Sequence, residues 1–363
     1  MRIAFVLPII NLTGGIKEPL EYANQLQSLG HDVVVVYPRK WPHPDDTVRR
    51  NAPWSMRAFD YLRREATYYV KHMRGQSELD WFDLQARLYR IPELAEDHLP
   101  DGDAIIAVDW TTAEFVSGCA PQKGRKFYLI QGYETFCGPQ DRVDATWRLP
   151  LSKIVISSWL WELSIEKFGE KPAGLLVPGI KFDEFFPDKQ SGSRTRRIGM
   201  RFHNLPYKAI PDGLAAIEMV RKHHPDIQLV MFSTNKPESG LPEGVEFYVR
   251  PTQSELRRIY SSCAIWLVPS HMEGAGLPGQ EAMACGCALV TTDVGAVRDY
   301  SIPGETALVS SPGDVSALAT NLLRLLDDED YLRSLARAGT DYVRQFTWER
   351  ATSDLLRLLQ AEV

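Results

Sequence analysis

Two acidic residues eight positions apart give the first chemical signal: Glu273 and Glu281 lie in the string Val268 to Asp293, VPSHMEGAGLPGQEAMACGCALVTTD. An apolar run ends at Pro269, and Gly274, Gly276 and Gly279 follow. Pro278 suits the first turn of a helix, where the N–H it lacks would have been an orphan, and Gly286 suits that helix's C-terminal cap. A strand, a glycine loop and a helix N-terminus gather backbone N–H groups and the positive end of a helix dipole at one spot, which is chemistry for phosphate. Glycines there let a ligand approach the backbone closely. The plainer alternative makes Glu281 a first-turn acid that complements the dipole and Glu273 a solvated loop acid.

The string resembles the retaining glycosyltransferases of family 4, whose hallmark is two Glu separated by seven residues within EGxGLPxxEAMACGxxVVxT. The resemblance implies that Glu273 touches the sugar of a nucleotide sugar donor and that Glu281 bonds the ribose hydroxyls. A carboxylate can accept two hydroxyl hydrogen bonds, and charge-assisted bonds are the stronger kind. Gly274, Ala275, Gly276 and Leu277 would line the same donor. Gly199-Met200-Arg201 ends a strand and Lys208 lies seven residues on; the family holds the donor diphosphate with an Arg and a Lys at this place. Two fixed cations suit a departing diphosphate, whose charge rises in the transition state. Glu273, Arg201 and Lys208 are therefore the expected catalytic group, acting without a metal or other cofactor, although an exposed Arg and Lys are commonly only surface charges.

Other strings extend the resemblance over most of the chain. Gly14 and Gly15 follow the first strand where the family places a glycine pair against the diphosphate, and Val249 and Arg250 match the region lining the base. Val177-Pro178-Gly179-Ile180 resembles the family's interdomain hinge, and Phe346-Thr347-Trp348-Glu349 its C-terminal signature. One departure stands out: many relatives carry a His near the reacting sugar where this chain reads Gln131-Gly132-Tyr133-Glu134. Gln131, Tyr133 and Glu134, with Asp109 and Trp110 at another strand end, are the candidate acceptor wall, since open α/β sheets bind ligands at strand ends; loop shaping is the alternative. The TGGIK opening and the QGYE loop are similar to rhamnosyltransferases of surface-polysaccharide assembly. The implied function is retaining transfer to a glycan or lipid-linked acceptor. Rival readings are a catalytically degenerate partner subunit and a sugar-nucleotide epimerase of the same architecture; a nicotinamide dehydrogenase lacks its GxGxxG fingerprint and the acid that ends its second strand.

These residues need a frame, and apolar runs of strand length alternate with amphipathic segments in both halves, the pattern of βα units around parallel sheets. Strands are expected at 2–7, 32–37, 104–108, 126–130 and 153–157, then at 197–200, 228–233, 246–249, 264–269 and 288–291. The polar stretch 187–196 reads as a linker. The expected fold is α/β: Rossmann-like domains over 1–185 and 186–347 facing each other across a donor-binding cleft, the GT-B arrangement, with a helix over 348–363 returning to the first. Residues 41–96 break the βα rhythm. Their mixture of Arg49, Arg50, Arg57, Arg63, Arg64 and Lys71 with Trp54, Phe59, Tyr61, Tyr68, Tyr69 and Trp81 reads either as a helical insertion packed on the body or as a peripheral contact at the inner membrane face.

Composition bounds the rest. The 363 residues suit about two domains, and 44% hydrophobic with 24% charged residues is ordinary globular composition. No apolar run approaches the roughly 20 residues of a membrane span, and Pro8 interrupts the only stretch resembling a signal peptide. Five scattered cysteines without paired spacing argue for a reduced, cytoplasmic protein with no structural zinc. A net charge of −6 argues against general nucleic-acid binding.

Overall fold

Every strand pair in the computed structural model is parallel; the structure describes residues 1–11, 13–39, 79, 81–188, 196–237 and 241–361, with the isolated helical positions 62, 66, 70 and 73. Most of the 41–96 insertion and of the 187–196 linker lies outside the described residues, including Arg49, Arg50, Trp54, Arg57, Phe59 and Tyr61. The chain forms two units. One comprises 1–156, 160–176 and 352–363, the other 157–159 and 177–351.

The first unit contains β1 (Arg2–Val6), α1 (Gly14–Ser28), β2 (Asp32–Pro38), β3 (Arg87–Ile91), β4 (Ala104–Ala107), α2 (Trp110–Gly118), β5 (Arg125–Ile130), α3 (Gln140–Thr146), β6 (Ser152–Val155), α4 (Ser158–Phe168) and β7 (Gly174–Leu175). The sheet order is β3-β2-β1-β4-β5-β6-β7. Its central strands are near-continuous apolar runs because helices cover both faces of a parallel sheet, and β4 is buried at every position. The edge strand β3, RLYRI, was not expected from sequence. It falls in the insertion and alternates exposed with half-buried residues, so its apolar pattern is too thin to register as a strand.

The second unit contains β8 (Arg197–Arg201), α5 (Ile210–Arg221), β9 (Gln228–Ser233), β10 (Glu246–Val249), α6 (Gln253–Ser262), β11 (Ile265–Val268), α7 (Leu277–Ala284), β12 (Ala288–Thr292), α8 (Val297–Tyr300), β13 (Ala307–Ser310), α9 (Val315–Asp327) and α10 (Glu329–Val343), and the start of α11 (Trp348–Gln360), which from Thr352 onward belongs to the first unit. Its order, β10-β9-β8-β11-β12-β13, repeats the Rossmann order of the first unit. In β8 a Cβ on Gly199 would lie 2.1 Å from the Trp266 ring, so that glycine makes room for the core cluster in which Trp266 packs at 4.5 Å from Tyr260. The strings at 177–180 and 346–349 dock on one another: Ile180 N–H donates to the Phe346 carbonyl at 2.9 Å, and a Cβ on Gly179 would meet the Trp348 nitrogen at 2.4 Å.

Candidate active site

In each unit the strand order reverses direction at one point, between β1 and β4 in the first and between β8 and β11 in the second. Loops leaving the carboxyl ends of the two strands at such a point diverge and leave a crevice, the usual ligand site of an open parallel sheet. Arg201 is the last residue of β8, and the loop after β11 carries Ser270 and Glu273. Lys208 ends a single turn of tight helix, Pro206–Lys208, and Ala209 after it is left-handed, with φ 49°. That turn reaches across the strand boundary, so Lys208 Nζ donates to Glu273 Oε2 at 2.7 Å. Ser270 Oγ donates to Glu273 Oε1 at 2.7 Å. With its side chain 10% exposed and that of Lys208 21%, Glu273 is a half-enclosed carboxylate with a donor on each oxygen.

The loops that bear this pair are themselves tied together. His271 N–H donates to the Tyr207 carbonyl at 2.7 Å, and the His271 ring lies 2.7 Å from Asp212 Oδ2. Ala296 N–H donates to the Gly274 carbonyl at 3.0 Å, and a Cβ on Gly295 would sit 2.5 Å from the Glu273 carbonyl oxygen. Gly276, at φ 67°, precedes α7, and both it and Gly279 face Tyr300: added Cβ atoms would fall 2.9 Å and 2.7 Å from its hydroxyl. Interior packing thus accounts for two of the glycines that the sequence assigned to ligand approach. Gly286 ends α7 as expected, in a Schellman motif with Gly286 N–H to the Met283 carbonyl and Cys287 N–H to the Ala282 carbonyl.

Glu281 requires a correction. The helix begins at Leu277, so Glu281 is its fifth residue and stands one turn in, with no acid in the first turn. Its Oε2 accepts from the Tyr260 hydroxyl at 2.9 Å, and burial followed by the charge of Glu281 holds that phenol well above its ordinary range. Arg201 lies close enough to oppose that effect. The guanidinium of Arg201 is half-buried and makes no hydrogen bond or ion pair among the described residues, an arrangement in which an anion would gain most. Val249 is 42% exposed at the end of edge strand β10. Arg250 follows in the left-handed region, φ 50°, its Nε donating to the Thr234 carbonyl at 3.0 Å. Ser270, Tyr260, Gly295 and His203 were not singled out from sequence; only Ser270 lay inside the telling string.

At the switch point of the first unit, Gly14 and Gly15 are the opening residues of α1. A Cβ on Gly15 would meet only Gln131, at 3.7 Å, so packing does not demand glycine there. Gln131 ties the start of α1 to the end of β4, its Nε2 donating to the Gly15 carbonyl at 2.9 Å and the Val108 carbonyl at 3.3 Å. Asp109 caps α2, accepting from Thr111 N–H at 2.8 Å and Thr112 N–H at 3.3 Å. Trp110 is wholly buried, with the Arg142 guanidinium 4.8 Å over its ring. Tyr133 donates to Asp144 at 2.6 Å and also meets Lys167. Glu134 Oε2 accepts from Trp110 N–H at 2.8 Å, and burial together with the Asp109 charge drives its carboxyl well above the usual range. All five candidate acceptor residues thus have bonds or packing within the fold of this unit, which for Gln131, Tyr133 and Glu134 is the loop-shaping role weighed as the alternative. Among the described residues no His, Cys, Asp or Glu cluster could hold a metal ion, and no helix is long and apolar enough to cross a membrane.

Residues 198–328 match the model of the family described as Glycosyl transferases group 1. That match lies within the second unit. Over 120 residues the chain is 30% identical to the O-antigen chain mannosyltransferase B of Escherichia coli, a match covering 33% of this chain and 31% of that protein. Over 208 residues it is 27% identical to the MMP alpha-(1->4)-mannosyltransferase of Mycolicibacterium hassiacum, covering 54% of this chain and 50% of the other. The chain thus spans half or less of the length of these curated relatives. The crystal structure of Anabaena HepE in complex with UDP-glucose superposes with a TM-score of 0.74 over 99% of both chains at 14% identity, a likeness of fold: the GT-B pair of Rossmann-like units. The matched stretch contains Arg201, Lys208, Glu273 and Glu281; the candidates around Gly15 and Gln131 fall outside it.

Proposed function

We propose that this protein is a retaining glycosyltransferase that moves a sugar from a nucleoside diphosphate carrier to a glycan or lipid-linked acceptor in surface-glycan synthesis. The observation that carries the reading is the half-buried Arg201 guanidinium, without a partner among the described residues, beside the Lys208–Glu273 pair at a switch point. Arg201 and Lys208 hold the diphosphate and stabilise the charge that gathers on it as the sugar leaves. Glu273 accepts from sugar hydroxyls and Glu281 from the ribose. The acceptor hydroxyl attacks from the face the diphosphate leaves, its oxygen bonding to the anomeric carbon as the carbon–phosphate-oxygen bond breaks, and its proton passes to the leaving phosphate oxygen. No metal takes part, because the two cations supply that charge. Gly15, with space for more than a hydrogen, belongs to the donor side, and Gln131 and Glu134 to the acceptor side.

The finer reading places the protein in the cytoplasm with peripheral contact at the inner membrane face. Its support is that Leu62, Val70 and Met73, at helical spacing, are 63%, 40% and 80% exposed, with Arg63, Arg64 and Lys71 beside them in sequence. Sedimentation with anionic but not neutral vesicles checks this. The central test is a thermal-shift screen against nucleotide sugars and free nucleoside diphosphates, since a ligand that binds only the folded state raises its stability. A selective shift is expected, followed by loss of transfer in Glu273→Ala. Near wild-type turnover in that variant would sink the mechanism.

A further inference from the structure

Resting on the proposed function, the geometry points to one more group at the donor site. We propose that His203 is a diphosphate-binding residue: a neutral imidazole whose Nε2–H donates to a phosphate oxygen of the nucleoside diphosphate held by Arg201 and Lys208. His203 lies two residues past the end of β8, on the loop that connects those two cations, and is half-buried. Its Nδ1 accepts from the Leu205 backbone N–H at 3.1 Å. An accepting Nδ1 carries a lone pair, so the neutral ring has its proton on Nε2. Nε2 makes no hydrogen bond among the described residues.

The electrostatics agree with that tautomer. Burial first, then the positive charges of Arg201 and Lys208, push the imidazole down to about 4, against the smaller opposing pull of Glu273. Protonating Nδ1 would also set two N–H groups against each other, since Leu205 already donates there. The ring therefore brings a donor to the diphosphate without adding a third positive charge beside Arg201 and Lys208. A phosphate oxygen is the acceptor such a donor suits, because bonds to charged oxygens are the stronger kind.

Calorimetric titration of the full chain with UDP, GDP, ADP and dTDP at about pH 7 tests the assignment. With the tightest of the four, His203→Phe, which keeps the ring and loses the donor, is expected to bind about tenfold more weakly. His203→Gln, whose amide can accept from Leu205 and still donate, is expected to stay within about threefold of wild type. The same loss with inorganic pyrophosphate assigns the bond to phosphate; a loss seen only with the intact nucleotide sugar would move it to the sugar and overturn the assignment. If the wild type binds none of the four diphosphates, the reading of the whole site fails. If it binds and His203→Phe binds equally well, only the His203 inference fails. Should the Phe variant not fold, ring ¹⁵N spectra of the wild type decide, with His203→Gln identifying the signal. An Nε2–H tautomer at pH 6 that moves on adding diphosphate is expected; an imidazolium, an Nδ1–H tautomer, or no movement at saturation overturns it.

Discussion

Glu18 on α1 is 2% exposed, its Oε1 has no hydrogen-bond partner among the described residues, and burial pushes its carboxyl up to about 8. Its stability contribution should therefore depend steeply on pH. A carboxyl of the unfolded chain titrates near 4.5, so above that pH the unfolded state gives up a proton that the folded state keeps. The stabilising effect is complete below about 4.5 and is lost as pH rises through about 8, at about 1.4 kcal/mol per pH unit inside the window. Between pH 5 and pH 7.5 the loss is about 3 kcal/mol, or roughly 6–12 °C in melting temperature for a unit of this size. Glu18→Gln removes the titration while keeping the shape. The quantity to measure is the difference in urea unfolding free energy between variant and wild type across this range, in which other titrating groups cancel. The difference should rise in favour of the variant by about 3 kcal/mol. A flat difference would refute the claim that Glu18 is buried as a neutral acid.

Lys208→Met leaves Glu273 without its cation and should cost about 2–3 kcal/mol by denaturant unfolding, near the lower end for a broken buried pair because Lys208 stays 21% exposed; nucleoside diphosphate affinity should fall with it. Gly295→Ala forces a Cβ against the Glu273 carbonyl at φ 59° and should cost about 2 kcal/mol or more while lowering turnover. Gly304→Ala, with φ 81° but open space around it, is the control, and about 1 kcal/mol without loss of turnover is expected there. Added EDTA should leave the transfer rate unchanged, because Arg201 and Lys208 supply the positive charge; a rate that EDTA abolishes and a divalent cation restores would refute the metal-free mechanism.

What could be read from sequence was what is local. Strand, loop and helix at 265–284 follow from an apolar run, glycines and a proline, and the Schellman cap at Gly286 needs only a left-handed residue at the right place. The spacing of Glu273 and Glu281 was equally legible, although Glu281 sits a turn deeper in its helix than the pattern suggested. Both edge strands of the first sheet escaped detection, since β3 is half-exposed and β7 has only two residues and neither shows a clear apolar period; β13 was missed as well, whereas edge strand β10 was expected. Side chains such as Trp110 and Asp109 were open to misreading, because a Trp at a strand end looks the same in sequence whether it faces a ligand or, as here, is fully buried. The tertiary structure alone decided that β8 lies beside β11 and that Lys208 reaches Glu273 across 65 residues of chain. Neighbours in a parallel sheet are chosen by the burial of both faces and by crossover connections, not by adjacency in sequence. The pairing that makes two scattered charges one site is therefore a property of the packed sheet.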